Sequence, residues 1–284
     1  DLEQACADLL ALPQSADVRL SFEQSRLLIL CGKSRLEMPA EDGDRFPGMP
    51  ASPLADPVKL DSALFSDMLG KVLHAASGES GRAMSTVIHL RLEAHGRLTM
   101  EATDSRRAAR VSRLTEAASP MDVLLPKELA IELQSIIASE GAESIELAMD
   151  RDTLRASIGQ SALYGSSVSL SFPDMMKVIP PKRPIVATVP RSDLAAAGKR
   201  LWLMLENSVG GKTPRMPLVW LRLDGMLLSI EARHDSLGSA SEDIPAVVEG
   251  GQMEIILNWQ SVEQAFSAMD GEEVRLEIAH EHRP

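Results

Sequence analysis

The stretch Phe172-Pro173-Asp174-Met175-Met176-Lys177-Val178-Ile179-Pro180-Pro181 separates two runs of strand-like sequence and marks the period of the whole chain. Proline fixes φ and has no N–H to donate, so a segment bounded by three prolines makes a connector and not the interior of a helix or strand. A shorter echo, Phe46-Pro47-Gly48-Met49-Pro50, lies 126 positions earlier (172 minus 46). Two such connectors imply a domain that recurs at that interval.

Working outward from the connector, the spacing predicts a helix over 127–138, where Leu129, Leu133, Ile136 and Ile137 share a face. Three alternating runs follow it at 144–149, 153–158 and 162–170, which read as an antiparallel meander. The same pattern stands before and after. A helix over 62–77, with Phe65, Met68, Leu69, Val72 and Leu73 on one face and Asp61 or Ser62 as its cap, precedes strands at 86–93, 97–103 and 107–114. A helix over 192–205 precedes strands at 218–223, 227–232 and 241–248, and a helix over 260–269 precedes one at 274–279. At the start, a helix over 1–12 leads to strands at 18–22, 26–31 and 34–38. Short apolar strands at 58–60, 123–125, 187–189 and 254–257 introduce the later helices. The unit is strand, helix, three strands. Helix starts at 62, 127, 192 and 260 fall 65, 65 and 68 residues apart, a regularity that marks an internal repeat. The fold class is α+β, with two units to a domain.

Composition bounds what such a chain does. Its 284 residues suffice for two or three domains with their own cores, and 44% apolar with 25% charged residues is ordinary for a globular protein. No apolar run reaches the ~18 residues of a membrane span, and the opening Asp1-Leu2-Glu3-Gln4-Ala5-Cys6 is not a signal peptide, so a cytoplasmic location is expected. Cys6 and Cys31 lack metal-site spacing and read as reduced thiols. A net charge of −12 excludes a protein basic over its whole surface, though not a local basic patch, and 3% aromatic residues leave no platform for stacking single-stranded bases.

Three stretches carry a resemblance to a known family. Glu101-Ala-Thr-Asp-Ser-Arg-Arg-Ala-Ala109 is similar to the Ala-Thr-Asp-Gly-His-Arg-Leu-Ala segment of the bacterial DNA polymerase III beta subunit, the replicative sliding clamp. Phe172-Pro-Asp through Lys177-Val-Ile-Pro180, and Cys31-Gly-Lys-Ser-Arg-Leu-Glu-Met38 leading to Phe46-Pro47, resemble two more of its segments. Looser similarity runs along the rest. The resemblance implies clamp domains whose helices line a ring and whose sheets lie outside. It also sets the boundaries: 1–52 as the C-terminal half of a first clamp domain, 53–182 as a complete second one, and 183–284 as a third whose last strands are missing.

The resemblance further implies a DNA polymerase processivity factor with no enzymatic activity, no cofactor and no metal. Its implied partners are duplex DNA bound non-specifically, polymerase and clamp-loader subunits bound through short peptides, and a second copy in a ring-forming homodimer. A peptide cleft between the second and third domains would be walled by Thr103, Ser105, Arg106, Arg107 and Ala108 on one side and by Pro173, Lys177 and Val178 on the other. Ser105 and Arg106 stand where the family has Gly-His, and Ala108 where it has Leu, so the site is expected to be shallower and more basic. The other reading of Thr103 to Arg107 is a plain turn between two strands. Lys71, Arg82, Lys127, Lys199 and Arg200 are the candidate cations facing DNA, against the reading of a solvated helix face. Leu36 and Met38, with Met204 and Leu205, match the dimer interface, against the reading of core packing.

Catalytic frames are wanting. Gly211-Lys212-Thr213 lacks the earlier glycine of a phosphate-binding loop, where Glu206 stands, and Gly159-Gln160-Ser161 lacks the second glycine of a nucleophile elbow, where Leu163 stands. His280 and His282 have no third ligand nearby and read as a tail. A clamp-like interaction module that binds peptides without encircling DNA is the alternative expectation.

Overall fold

Apolar side chains in this chain alternate along strands and recur every three to four residues along helices, and the two periods meet in one recurring unit. The structure is a computed structural model that describes residues 17–41, 43–45, 56–77, 83–181, 183–206, 217–234 and 238–279. The expected helix over 1–12, the connector echo at 46–50, Cys6, Arg82, the Gly211-Lys212-Thr213 segment and the two C-terminal histidines lie outside these residues. By internal packing the chain divides into a unit of residues 1–53 and a unit of residues 54–284.

In the first unit β1 (Val18–Glu23), β2 (Arg26–Cys31) and β3 (Ser34–Pro39) form an antiparallel sheet in that order. Ile29 and Cys31 are buried on β2. Leu36 and Met38 stand opposite Ile29 and Leu27 on this face and are half-buried, while Arg35 and Glu37 point to the exposed side.

The second unit begins with β4 (Val58–Asp61), α1 (Ser62–Leu73), β5 (Val87–Leu92), β6 (Arg97–Thr103) and β7 (Ala108–Leu114). Asp61 caps α1, its Oδ1 accepting the Leu64 N–H at 2.7 Å. The sequence then repeats as β8 (Met121–Pro126), α2 (Lys127–Glu140), β9 (Ser144–Asp150), β10 (Thr153–Ile158) and β11 (Ser161–Ser166). Each leading strand crosses to the other half. β8 joins β5 to make the sheet β7-β6-β5-β8, and β4 joins β9 to make β11-β10-β9-β4. This exchange explains why a short strand stands before each helix: the strand closes its sibling's sheet. Phe65, Met68, Leu69 and Val72 of α1 and Ala130, Leu133 and Ile137 of α2 pack between the two sheets with Leu90, Met100, Leu147 and Leu154. We refer to this body, over residues 56–181, as the central lobe.

A connector carrying the single-turn helix α3 (Met175–Val178) leads to the last lobe, over residues 183–279. It repeats the plan as β12 (Ile185–Pro190), α4 (Arg191–Glu206), β13 (Leu218–Asp224), β14 (Leu227–His234), β15 (Gly238–Pro245), a short β16 (Val247–Glu249), β17 (Met253–Asn258), α5 (Trp259–Ser267) and β18 (Glu273–Ile278). Here too the leading strands cross, β17 pairing with β13 and β12 with β18. Its core is separate, with Leu194, Leu201, Leu221, Ile230, Trp259 and Phe266 at its centre. Leu205 belongs to it at 2% exposure, so the expectation that Leu205 offers itself to a second copy is corrected: its side chain is spent on the core, while the neighbouring Met204 is half-buried against it.

The strand bounds expected from alternation agree with the structure to within a few residues, except that the 162–170 run ends at Ser166 and the 241–248 run starts at Gly238 and splits into β15 and β16. The short helix α3 was not expected. Among the described residues no helix is long and apolar enough to cross a membrane.

Candidate functional site

Thr103 to Arg107 is a tightly bonded turn, and it is also a contact between the lobes. The Thr103 hydroxyl donates to the Arg107 carbonyl at 2.7 Å and accepts the Ser105 N–H at 3.1 Å. Asp104 Oδ1 accepts the N–H groups of Arg106 and Arg107, both at 2.9 Å, and its Oδ2 pairs with Arg107 Nε at 3.0 Å. Partial burial raises the Asp104 pKa, but the two backbone donors and the guanidinium outweigh it and hold the carboxyl below its ordinary value. Ser105 sits at φ 74°, in the left-handed region that a residue without Cβ enters at no steric cost. That is the position where the resemblance has glycine.

Arg107 then leaves the turn. Its Nη1 donates to Gln264 Oε1 and lies 3.5 Å from Ser261 Oγ, both on α5 of the last lobe. A second tie lies nearby. Asp270, just after α5, accepts from Lys71 of α1 at 2.7 Å and from Arg113 of β7 at 2.7 Å, and Lys71 also pairs with Asp67. Burial disfavours the charge on Lys71, yet its hydrogen bonds to Asp270 and Asp67 raise the pKa overall. The same hydrogen bond from Lys71 holds the Asp270 carboxyl low. Between the ties is a cavity of about 300 Å³, lined by Lys71, His74, Ala108, Val111, Ala265 and Met269 among others. Burial and then the nearby Arg107 lower the His74 pKa, so this ring is neutral at pH 7.

The predicted cleft residues are therefore only partly united. Ala108 lines this seam cavity and Arg107 bridges beside it, while Thr103 is buried under the turn and Ser105 and Arg106 are exposed. Pro173 lines a neighbouring cavity of about 520 Å³ between the connector and the β7-β6-β5-β8 sheet of the central lobe, which we refer to as its outer sheet. Lys177 and Val178 project from α3 into solvent and line neither cavity, Val178 being 64% exposed. Arg110 lines both cavities and joins the two groups, its guanidinium lying against Met176. Lys71, His74, Arg110, Arg113 and Asp270 were not foreseen at this site. Lys71 and Asp270 are separated by 199 positions, and no local pattern announces such a pair.

The cations expected to face DNA are mostly engaged. Lys71 is engaged on both sides: its side chain is 13% exposed and is held by two carboxylates, Asp67 on its own helix and Asp270 across the seam. Arg200 makes a two-pronged pair with Glu242 at 2.8 and 2.7 Å, which neutralises it locally. Lys127 is half-buried and donates to the Ala76 carbonyl at 2.7 Å, tying α2 to the end of the α1 segment. Lys199 is exposed. Among the described residues no group of three or more His, Cys, Asp or Glu side chains is placed to hold a metal. A cavity of about 760 Å³ lies in the last lobe beside β18, where Trp259, Phe266, Leu276 and Ile278 line it. In the central lobe the matching strand β9 is covered by β10, with Leu154, Ala156 and Ile158 buried.

No family model matches the chain. Curated relatives do: it is 24% identical over 275 residues to the beta sliding clamp of Synechococcus elongatus, covering 94% of this chain and 71% of that protein. To the beta sliding clamp of Caulobacter vibrioides it is 26% identical over 258 residues, covering 87% of this chain and 66% of that one. The chain is a relative of the bacterial beta sliding clamps. Its fold is theirs: the crystal structure of the DNA polymerase sliding clamp from Caulobacter crescentus superposes with a TM-score of 0.79 at 24% identity, covering 98% of this chain and 74% of that one. The DNA polymerase III beta subunit of Thermotoga maritima gives 0.78 at 19% identity, over 98% and 73%. The chain thus spans about two thirds to three quarters of the length of these clamps.

Proposed function

We propose that this chain is a DNA polymerase processivity factor that acts without catalysis, as a clamp tethering a polymerase to duplex DNA in the cytoplasm. The observation that carries this reading is similarity to sliding clamps along nearly the whole chain, 94% in sequence and 98% in fold. We read residues 53–182 and 183–284 as second and third clamp domains, and 1–52 as the later half of a first. The mechanism is geometric. A closed ring cannot leave DNA sideways, so weak, sequence-independent phosphate contacts hold it without pinning it to one site. Ring closure would join two copies through the first unit, with Leu36 and Met38 on the edge strand β3, and the last lobe around Met204. A clamp loader would open the ring.

The partner site on this reading is the seam between the lobes. A small cavity with Ala108, Ala265 and Met269 in its wall offers room for one apolar anchor of a short peptide, and Arg106, Lys177 and Val178 are exposed to solvent. A second reading, a clamp-like module that binds peptides without encircling DNA, is favoured by one observation: Lys71 and Arg200 are already neutralised by carboxylates. Mass measured in solution at rising concentration separates the two. Assembly into a dimer supports the ring; a chain that stays monomeric at every concentration while still binding a clamp-binding peptide favours the module.

A further inference from the structure

One charged cluster touches the seam only through Arg110. On the outer sheet of the central lobe Arg110, Glu101 and His89 stand directly opposite one another on β7, β6 and β5. Arg110 Nε pairs with Glu101 Oε1 at 3.1 Å. His89 Nδ1 faces the other oxygen of Glu101 at 3.3 Å, and its Nε2 faces Asp122 Oδ1 on β8 at 2.9 Å. The His89 and Glu101 side chains are each only 12% exposed. Over the imidazole lies Phe172 of the connector, ring centroids 4.8 Å apart and tilted by 36°.

The hydrogen-bond inventory decides the protonation state that fits. A neutral imidazole has one N–H donor and one bare lone pair, whereas an ionised carboxylate only accepts. With a carboxylate oxygen at each ring nitrogen, a neutral His89 must point a lone pair at one of them. The imidazolium donates to both and also places a cation against the Phe172 ring. All the charged groups around it line the same cavity. Arg91 is on its own strand, Glu93 just beyond it, Glu101 and Arg110 on the next two strands, Asp122 on β8, and Asp174 on the connector. Four carboxylates thus surround two guanidinium groups, and a proton on His89 narrows the difference.

We propose that His89 is a proton-dependent latch: as the imidazolium it bridges Glu101 and Asp122 and holds Phe172, and with it the connector over residues 168–179, on the outer sheet. Without the proton one bridge turns repulsive and the hold on Phe172 loosens. Arg110 against Met176, and the Val168 N–H donating to the Leu124 carbonyl at 3.0 Å, are contacts that do not involve His89 and keep the segment tethered when the latch opens. Burial works against the charge on His89, but its hydrogen bonds to Glu101 and then Asp122 prevail, and its pKa lies above the ordinary 6.5. A group raised in the folded state contributes fully below the unfolded value and loses that contribution as pH rises through the folded one. The latch is therefore shut in mild acid and opens on the alkaline side. It stands whether or not the connector takes part in peptide binding.

Hydrogen exchange of the connector, normalised for the intrinsic pH dependence of amide exchange, tests this on the whole chain. Between mild acid and mild alkali, protection over 168–179 should fall, because the raised His89 pKa makes the protonated contact the stabilising one. Its midpoint should match that of the His89 ring measured by NMR. His89→Gln, which cannot be protonated, should lose the dependence, with unchanged protection of β9 and β10 reporting that the lobe is folded. Protection that ignores pH in the wild type, or that keeps the same dependence in His89→Gln, overturns the latch. Should the variant not fold, a mismatch between the two wild-type midpoints overturns it equally.

Discussion

Gly198 sits on α4 where that helix meets α5, and a Cβ built there lands on the six-membered ring of Trp259, with Cε2 and Nε1 at 3.0 and 3.1 Å. Two effects of Gly198→Ala oppose each other. Alanine in place of glycine in a helix interior is worth about 1 kcal/mol in stability. Forcing an extra methyl into a packed core costs about 1–3 kcal/mol. Trp259 is 0% exposed and packs at a tilt against Phe266 with centroids 5.9 Å apart, but it also lines the cavity beside β18, which gives the indole some room, so the cost belongs near the middle of that range. The net expectation is destabilisation of the last lobe by about 1 kcal/mol, the difference of the two. Urea unfolding followed by tryptophan fluorescence reads it, since Trp259 itself reports on the core. In a Trp259→Phe background the struck ring atoms are gone, and the same substitution should become neutral or stabilising. A Gly198→Ala protein that is more stable than wild type would refute the packing argument and leave helix propensity alone in charge.

Other predictions follow from the turn and the connector. Ser105→Gly should raise the unfolding midpoint by the equivalent of about 0.5–1 kcal/mol, because φ 74° is strained for serine and open to glycine; a loss of stability would mean that the Ser105 side chain matters more than its backbone. Val178→Asp should abolish binding of a clamp-binding peptide while leaving circular dichroism and mass unchanged, since the side chain is 64% exposed and packs in neither core. Unfolding of this variant would return Val178 to a structural role.

The architecture was legible in the sequence because its signals are local. Asp61 caps α1 two residues beyond Lys59, apolar residues recur at helical spacing through Phe65 and Val72, and alternation writes β6 and β10 at their full extents. What the sequence hid depends on distant partners. Lys71 looked like a cation for DNA until Asp270 was found beside it, and Arg200 until Glu242 was. Leu205 and Met204 are adjacent in sequence but differ in burial, which helix orientation decides and residue type does not. His89 gave no signal at all within an ordinary strand, because its meaning lies in Glu101, Asp122 and Phe172 from three other segments. The single turn of α3 is too short for periodicity to reveal, although Asp174 caps it in the expected manner.

Encirclement of DNA is the central claim, and retention on DNA circles tests it most directly. The protein, with a clamp loader and ATP, is incubated with a nicked circular plasmid and passed through a sizing column in salt high enough to screen phosphate contacts. The account predicts that the protein travels with the circle and is released when a restriction enzyme linearises it. Equal retention on circular and linear DNA, or none on either, would contradict it.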